Sequence, residues 1–373
     1  MSAQQLSAPA GAIPFFAGER EYAAHGEVLI GLVAAVLAGG QTLQGPAVEA
    51  FERALATAAG RANAVAVGSG TDALFFALRA LGIGAGDEVL VPALSFIASA
   101  SCVLRAGARP VFVDVDDEYL IDLGCARALA GPRTRAVIAV DLFGQMPDPG
   151  PLDALAAAAG IAVIEDAAQA LGAERAGRRA GSLGRVSCVS FDPTKPLAAP
   201  GSGGALLCDD DALAARARSL RWHGRASDGA HRELGYNSQL SEAAAAVLGW
   251  KLGREPSWRA RRQQIAASYD AALYGTALER PPRRDPSGHA FSKYVLRSPA
   301  RDELRAALHA AGVPTRIHYP RPLHQEPLFA CAASCPVAER ASAEVLSLPI
   351  HAFLGDAEVA RVCRTLGAAV AAT

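Results

Sequence analysis

Short apolar runs recur between residues 63 and 208, most of them separated by enough chain for a helix, and this alternation constrains the fold more than any other feature. Strand-like runs fall near 63–67, 88–91, 110–113, 136–141, 161–165, 186–191 and 203–208, and helix-like periodicity falls near 27–38, 46–58 and 71–82. Apolar runs without alternation are the pattern of strands covered on both faces, and their connections are long enough for crossover helices. The expectation is an α/β large domain with a mostly parallel sheet over residues 13–250 and a smaller α/β domain over 251–373, after a flexible tail at 1–12. An alanine-rich helix starting after Asn237 and continuing toward 270 would lead out of the large domain, and YVLRS and PTRIHYP read as strands of the smaller one.

Lysine is scarce. Only Lys195, Lys251 and Lys293 occur among 36 Lys+Arg residues, so arginine serves nearly everywhere that a positive charge suffices. Lysine can lose its proton and condense with an aldehyde, which a guanidinium does not do. Lys195, in SFDPTKPLAAPGSGGALL, is therefore a candidate covalent anchor, whereas Lys251 and Lys293 sit in segments that read as amphipathic or surface structure. Upstream, IAVIEDAAQALGAE reads as a buried strand ending at Asp166 with Gln169 on the following turn, and Ser190 ends the next strand-like run, VSCVS. Acids at the carboxyl ends of such strands point into the crevice where α/β proteins bind ligands. AVAVGSGTDALFFAL runs from a strand through Gly68, Ser69 and Gly70 into a helix, a turn that could bring backbone N–H groups against a phosphate. Taken singly, Lys195 reads equally as a solvated lysine, the acids as a helix cap and the glycine turn as an ordinary connection. An amine, a carboxylate and a phosphate seat together are what pyridoxal phosphate needs.

The ordered segments GSGTDAL, VPALSFIASA, EDAAQA and SFDPTK with a downstream GSGG, joined by QGPAVEAFE, HGR, GYNSQL and AGVPTRIHYPRPLHQEP, resemble the fold-type I, pyridoxal-phosphate-dependent DegT/StrS sugar aminotransferases from about residue 13 to about 370. The resemblance implies that Lys195 bonds the cofactor, Asp166 faces the pyridine nitrogen and Gln169 lies near the ring hydroxyl. It also implies that Phe96 stacks on the ring and that Gly70, Thr71 and Ser190 hold the phosphate. Asn237 would reach the cofactor of a neighbouring subunit, making a homodimer with shared active sites. Arg225, Gln239, Arg316, His318, Tyr319 and His324 are implied on the substrate side. Two positions depart from the family pattern: Ser202 stands where an acid is usual, and Gln239 where an arginine is usual, which removes a guanidinium fork.

The implied reaction moves an amino group from L-glutamate to a nucleotide-linked keto sugar, with a UDP-linked 3-keto-hexuronic acid or related 3-keto sugar closest in motif. A nucleotide-sugar 4-aminotransferase, a dehydratase and a non-catalytic regulatory homodimer are the rival readings. Retention of Lys195 favours amino transfer, since some relatives with histidine at that place are dehydratases. A formal charge of −1 lacks the basic excess of a nucleic-acid binder. The seven cysteines make no metal-ligand spacing and read as mostly core thiols of a reducing compartment. VLIGLVAAVLAGG reads as a buried helix too short for a bilayer, so the expectation is a cytoplasmic enzyme with no membrane partner.

Overall fold

The computed structural model describes residues 13–371 apart from 281, 284 and 330, so the tail expected over 1–12 lies outside the described residues. Five strands come first: β1 (Asn63–Val67), β2 (Glu88–Pro92), β3 (Arg109–Val113), β4 (Thr134–Val140) and β5 (Ala162–Asp166). A two-residue ribbon, β6 (Glu174–Arg175) and β7 (Arg178–Arg179), precedes β8 (Val186–Ser190) and β9 (Gly204–Cys208). The large sheet has the order β1-β9-β8-β5-β4-β2-β3. β9 runs against both of its neighbours and every other adjacent pair is parallel, so the fold is the mostly parallel fold-type I arrangement.

Both faces of this sheet are covered, which is why its strands read as continuous apolar runs. In β1, Ala64 and Ala66 face a core containing Phe51 and Leu55 of the helix Pro46–Ala59. Val65 and Val67 face the opposite core with Phe75 and Leu78 of the helix Gly70–Ala80. The alternation follows from the two-residue side-chain period of a strand.

A third core is formed by the C-terminal part, where Ile265, Tyr269, Leu296, Leu346 and Val362 pack together. Ile13 belongs to this core, so the segment that the sequence assigns to the large domain begins against the smaller one. The alanine-rich stretch is two helices, Glu242–Leu252 and Glu255–Leu273, because Gly253 closes the first and Pro256 opens the second without an N–H to satisfy. β10 (Tyr294–Arg297) pairs antiparallel with β11 (Val345–Leu348). PTRIHYP is not a strand: only Arg316 bridges, to Ser347 on β11. Pro314 and Pro320 lack ladder donors, and Tyr319 sits at φ 60, outside the extended region.

The apolar run near the N-terminus is part of a longer helix, Gly18–Gly39, of which Gly26 alone is buried. The sequence reading of a short buried helix is therefore corrected, because the charged stretch before it, with Glu19, Glu21 and Glu27, is helical too. By length and composition the helix could cross a membrane. Its charge-free part is only 28–39, and ion pairs from Arg20 to Glu358 and from Glu21 to Lys251 hold its first turns to the body of the protein. Tyr22, Val28, Ile30 and Leu37 are left exposed on it.

Candidate active site

Three backbone segments converge at the carboxyl ends of β1, β5 and β8. Beyond β1 the chain turns through Ser69, whose hydroxyl accepts the Asp72 N–H at 3.0 Å and caps the helix Gly70–Ala80. Gly70 and Gly204 have no room for a side chain: a Cβ on Gly70 would lie 2.6 Å from Ser190 Cβ, and one on Gly204 would lie 2.4 Å from the Ser69 carbonyl carbon. The second glycine pair of GSGG is thus explained by β9 pressing against the turn. Helix N-terminal N–H groups at Gly70 and Thr71 together with the Ser190 hydroxyl form a seat suited to an anion.

After β8 the chain makes a tight turn in which the Asp192 carboxylate accepts both the N–H and the hydroxyl of Thr194, at 2.9 and 2.6 Å. The Lys195 N–H bonds the Asp192 carbonyl at 2.9 Å, and Phe191 and Ala199 close the loop by a backbone bond of 2.8 Å. This turn delivers the Lys195 amine into a cavity of about 700 Å³ that also contains Asp166, Gln169, Ser190, Gly70 and Thr71. Burial pulls the Lys195 amine below the usual lysine range, opposed by the charges of Asp166 and Asp192. The shift enlarges the unprotonated fraction that can act as nucleophile or base.

Asp166 ends β5 and is 5% exposed. Burial raises its carboxyl above the usual range, while the Ser99 hydroxyl, the Lys195 charge and the Ala168 N–H favour the ionised form. Ser99 donates at 2.8 Å and Ala168 at 3.2 Å. Phe96, 54% exposed, shares the cavity as an uncovered aromatic face. Gln169 is held at both ends: its carbonyl accepts the Phe143 N–H at 3.1 Å and its amide donates to the Tyr319 hydroxyl at 2.9 Å. On the opposite face of the sheet, Asp141 and Glu165 are completely buried together. Burial, then the Glu165 charge, raises the Asp141 carboxyl well above the usual carboxylate range.

Arg316, His318 and Tyr319 line the same cavity from the C-terminal domain. His318 Nδ1 meets the Ser347 hydroxyl at 2.7 Å, and burial followed by the charges of Lys293 and Arg316 pulls its pKa down to about 3. It is a neutral ring with its orientation set by Ser347.

Four expected residues lie outside the cavity of their own chain. His324 is a core residue: it is 1% exposed, packs near Phe112, and meets Glu339 through Nε2 at 3.1 Å. Its short apolar surroundings, Pro322–Leu323 and Phe329, draw it inward. Arg225 is exposed and lies over the Trp222 ring at 4.3 Å, because its loop folds back through a bridge to His231. Gln239 is bonded to Gln44 and, at 3.3 Å, to Asn237. Asn237 is exposed beside the phosphate turn, where the neighbouring Ser238 hydroxyl accepts the Gly68 N–H at 3.0 Å and donates to Asp72 at 2.7 Å.

Lys293 and Ser99 were not singled out by sequence reasoning as site residues. Lysine scarcity could have found the first, since all three lysines line one adjoining apolar cavity of about 570 Å³. Among the described residues no cluster of metal-ligating side chains occurs, and the cysteines are unpaired.

The donor set fits pyridoxal phosphate: an amine of lowered basicity for its aldehyde, a buried carboxyl for its ring nitrogen, and a cradle of helix N–H groups and the Ser190 hydroxyl for its phosphate. On a mostly parallel sheet with a reversed β9, this defines a fold-type I pyridoxal-phosphate enzyme. Residues 24–367 match the model of the DegT/DnrJ/EryC1/StrS aminotransferase family. The chain is 40% identical to the UDP-2-acetamido-2-deoxy-3-oxo-D-glucuronate aminotransferase of Pseudomonas aeruginosa, over 89% of this chain and 93% of that one. It is 41% identical to the UDP-N-acetyl-3-dehydro-alpha-D-glucosamine 3-aminotransferase of Acidithiobacillus ferrooxidans, over 91% and 93%. The solved structure of S. venezuelae DesV in complex with a ketimine intermediate superposes with a TM-score of 0.93 at 38% identity, over 96% of this chain and 98% of that one. The chain belongs to the DegT/DnrJ/EryC1/StrS aminotransferase family.

Proposed function

We propose that this protein transfers the amino group of L-glutamate, through pyridoxal phosphate, to C3 of a nucleotide-linked 3-keto sugar, with a UDP-linked hexuronic acid favoured. The observation that carries the reading is the Lys195 amine and the Asp166 carboxyl in one cavity with the anion seat at Gly70, Thr71 and Ser190. Two relatives whose names specify UDP-linked 3-oxo sugars support the acceptor class and its regiochemistry.

Pyridoxal phosphate, when bound, supplies the carbonyl that takes up the amino group and a ring that accepts the electron pair left by the donor's Cα proton. Lys195 removes that proton and later returns it, then reverses the sequence with the acceptor, so its amine must pass between protonated and free forms. Its lowered basicity suits the task. Asp166 holds positive charge at the ring nitrogen, and Gly70, Thr71 and Ser190 hold the phosphate. Phe96 offers its face to the ring. Neutral His318 and the Tyr319 hydroxyl offer hydrogen bonds to sugar hydroxyls, and Arg316 offers a fork to an anionic group.

The test is the amino-loaded enzyme presented with matched 3-keto and 4-keto nucleotide sugars, each with a C6 carboxylate or a neutral C6 group, and products read by mass spectrometry. Amino-sugar formation from the acidic 3-keto compound is expected to be fastest. A preference for 4-keto acceptors would reject the regiochemistry, and equal turnover of acidic and neutral 3-keto sugars would remove the carboxylate requirement.

The active unit in this proposal is a homodimer. Support comes from the apolar face of the helix Gly18–Gly39 and from Asn237, which stands exposed outside its own cavity. Chains carrying Lys195→Ala and Asn237→Ala, each impaired alone, are expected to recover activity when mixed, because some sites of the heterodimer contain both native residues. Confirmed heterodimers with no recovered activity would contradict sharing.

A further inference from the structure

We propose that Lys293, backed by Arg316, binds the α-carboxylate of the amino donor. The inference rests on the amino-acid donor reading given above. Lys293 lies two residues before Val295 on β10, Val295 pairs with Ser347 on β11, and Arg316 bridges to the same Ser347. Arg316, opposite Ser347, lies on one side of the small sheet, and Lys293, in the bend just before β10, reaches the same side. That side is the wall of the active cavity, which both residues line. A single ring marks their convergence: Lys293 Nζ lies 5.7 Å and the Arg316 guanidinium carbon 5.0 Å from the Phe16 centroid.

Neither cation has a carboxylate within ion-pair distance among the described residues. The Lys293 ammonium instead meets the carbonyl of Thr194 at 3.3 Å, one residue before the reactive lysine. The groups facing it are predominantly cationic. Burial first, then Lys195, Arg262 and Arg316, pull its pKa down to about 7, with Asp192 acting in the opposite sense. A second half-buried amine beside Lys195 is unfavourable for the free protein unless an anion arrives there. The phosphate seat lies at the Gly70–Ser190 end of the cavity, so that anion is a different one. In an amino-acid donor, the α-carboxylate is joined directly to the carbon whose proton Lys195 removes. A cation held next to Lys195 is placed for that group, whereas an acid on the far side of a sugar ring would sit farther off. Binding a carboxylate favours the charged ammonium, so above pH about 7 it carries a proton into the site.

The experiment uses the holoenzyme and its Lys293→Met and Lys293→Arg variants, each checked for cofactor content and circular dichroism. In single-turnover half-reactions, Lys293→Met is expected to raise the apparent Kd for L-glutamate about 10- to 100-fold, the worth of one charge-assisted contact, with a far smaller change in the limiting rate. Lys293→Arg should stay within a few-fold of the native chain. The preference for L-glutamate over its uncharged α-amide should collapse in Lys293→Met. Calorimetry with 2-oxoglutarate, on enzyme carrying the pyridoxal form so that no amino group moves, should show proton uptake at pH 8 for the native chain and none for Lys293→Met. An unchanged Kd and an unchanged amide discrimination in Lys293→Met, with the native enzyme converting glutamate normally, would overturn the inference alone. A native enzyme that accepts no amino acid would overturn it together with the donor reading.

Discussion

Lys195→Ala is expected to lower the rate of the glutamate half-reaction by about 10⁴-fold or more, because one side chain supplies both the covalent anchor and the proton shuttle. The substitution leaves the architecture alone. Lys195 is positioned by its own N–H bond to Asp192 and by the Asp192–Thr194 turn, none of which uses the amine. Folding and the phosphate seat should therefore persist, and the variant should still take up the cofactor without bonding it. Lys195→Arg tests the same point from the other side, since it keeps the positive charge and loses the removable proton. It should be as inactive as the alanine variant. A Lys195→Arg chain with substantial activity would show that charge alone is required.

Asp166→Asn should slow Cα proton removal by about 10²- to 10³-fold, the cost of losing preorganised charge where charge develops, while cofactor content stays near native. The amide is nearly isosteric, and the Ser99 hydroxyl can bond it in either sense. What it cannot do is compensate a cationic ring nitrogen. Burial makes the ionised Asp166 costly by itself, and a cation in contact with it favours ionisation, so carboxylate and protonated ring stabilise each other. Stopped-flow absorbance with L-glutamate separates the two effects, since binding and proton removal are read in different phases. Near-native formation of the amino-loaded enzyme would mean that Asp166 is not the ring partner.

The local part of this site was legible because each element is built within a few residues. The strand that ends at Asp166, the turn from Ser190 to Lys195 and the glycine turn into the helix Gly70–Ala80 carry their chemistry in contiguous sequence, and the parallel sheet order brings their ends together. Residues whose placement depends on tertiary packing were less legible. His324 and His318 are six apart, yet one is buried against Glu339 and the other bonds Ser347 at the cavity wall. Nothing in their spacing distinguishes a ring drawn into a core from one held at its edge. Arg225 stacks on Trp222 because its loop folds back on itself, which depends on a bridge between residues six apart, Arg225 and His231, with no apolar periodicity to announce it. Lys293 looked like a surface lysine since SKYVLRS starts a short strand. Its place at the cavity wall depends on how the bend before β10, β11 and Arg316 come together in the fold. The helix Gly18–Gly39 failed in the opposite sense: its apolar run promised burial, whereas a single chain leaves most of it uncovered.

The most direct measurement is reduction of the purified, cofactor-loaded protein with borohydride followed by peptide mass mapping. The three lysines all border one cavity, so the result discriminates among close neighbours rather than between a site and the bulk surface. A phosphopyridoxyl group on Lys195, in the peptide containing SFDPTK, is the predicted result. The same mass on Lys251 or Lys293, with Lys195 unmodified, would contradict the account.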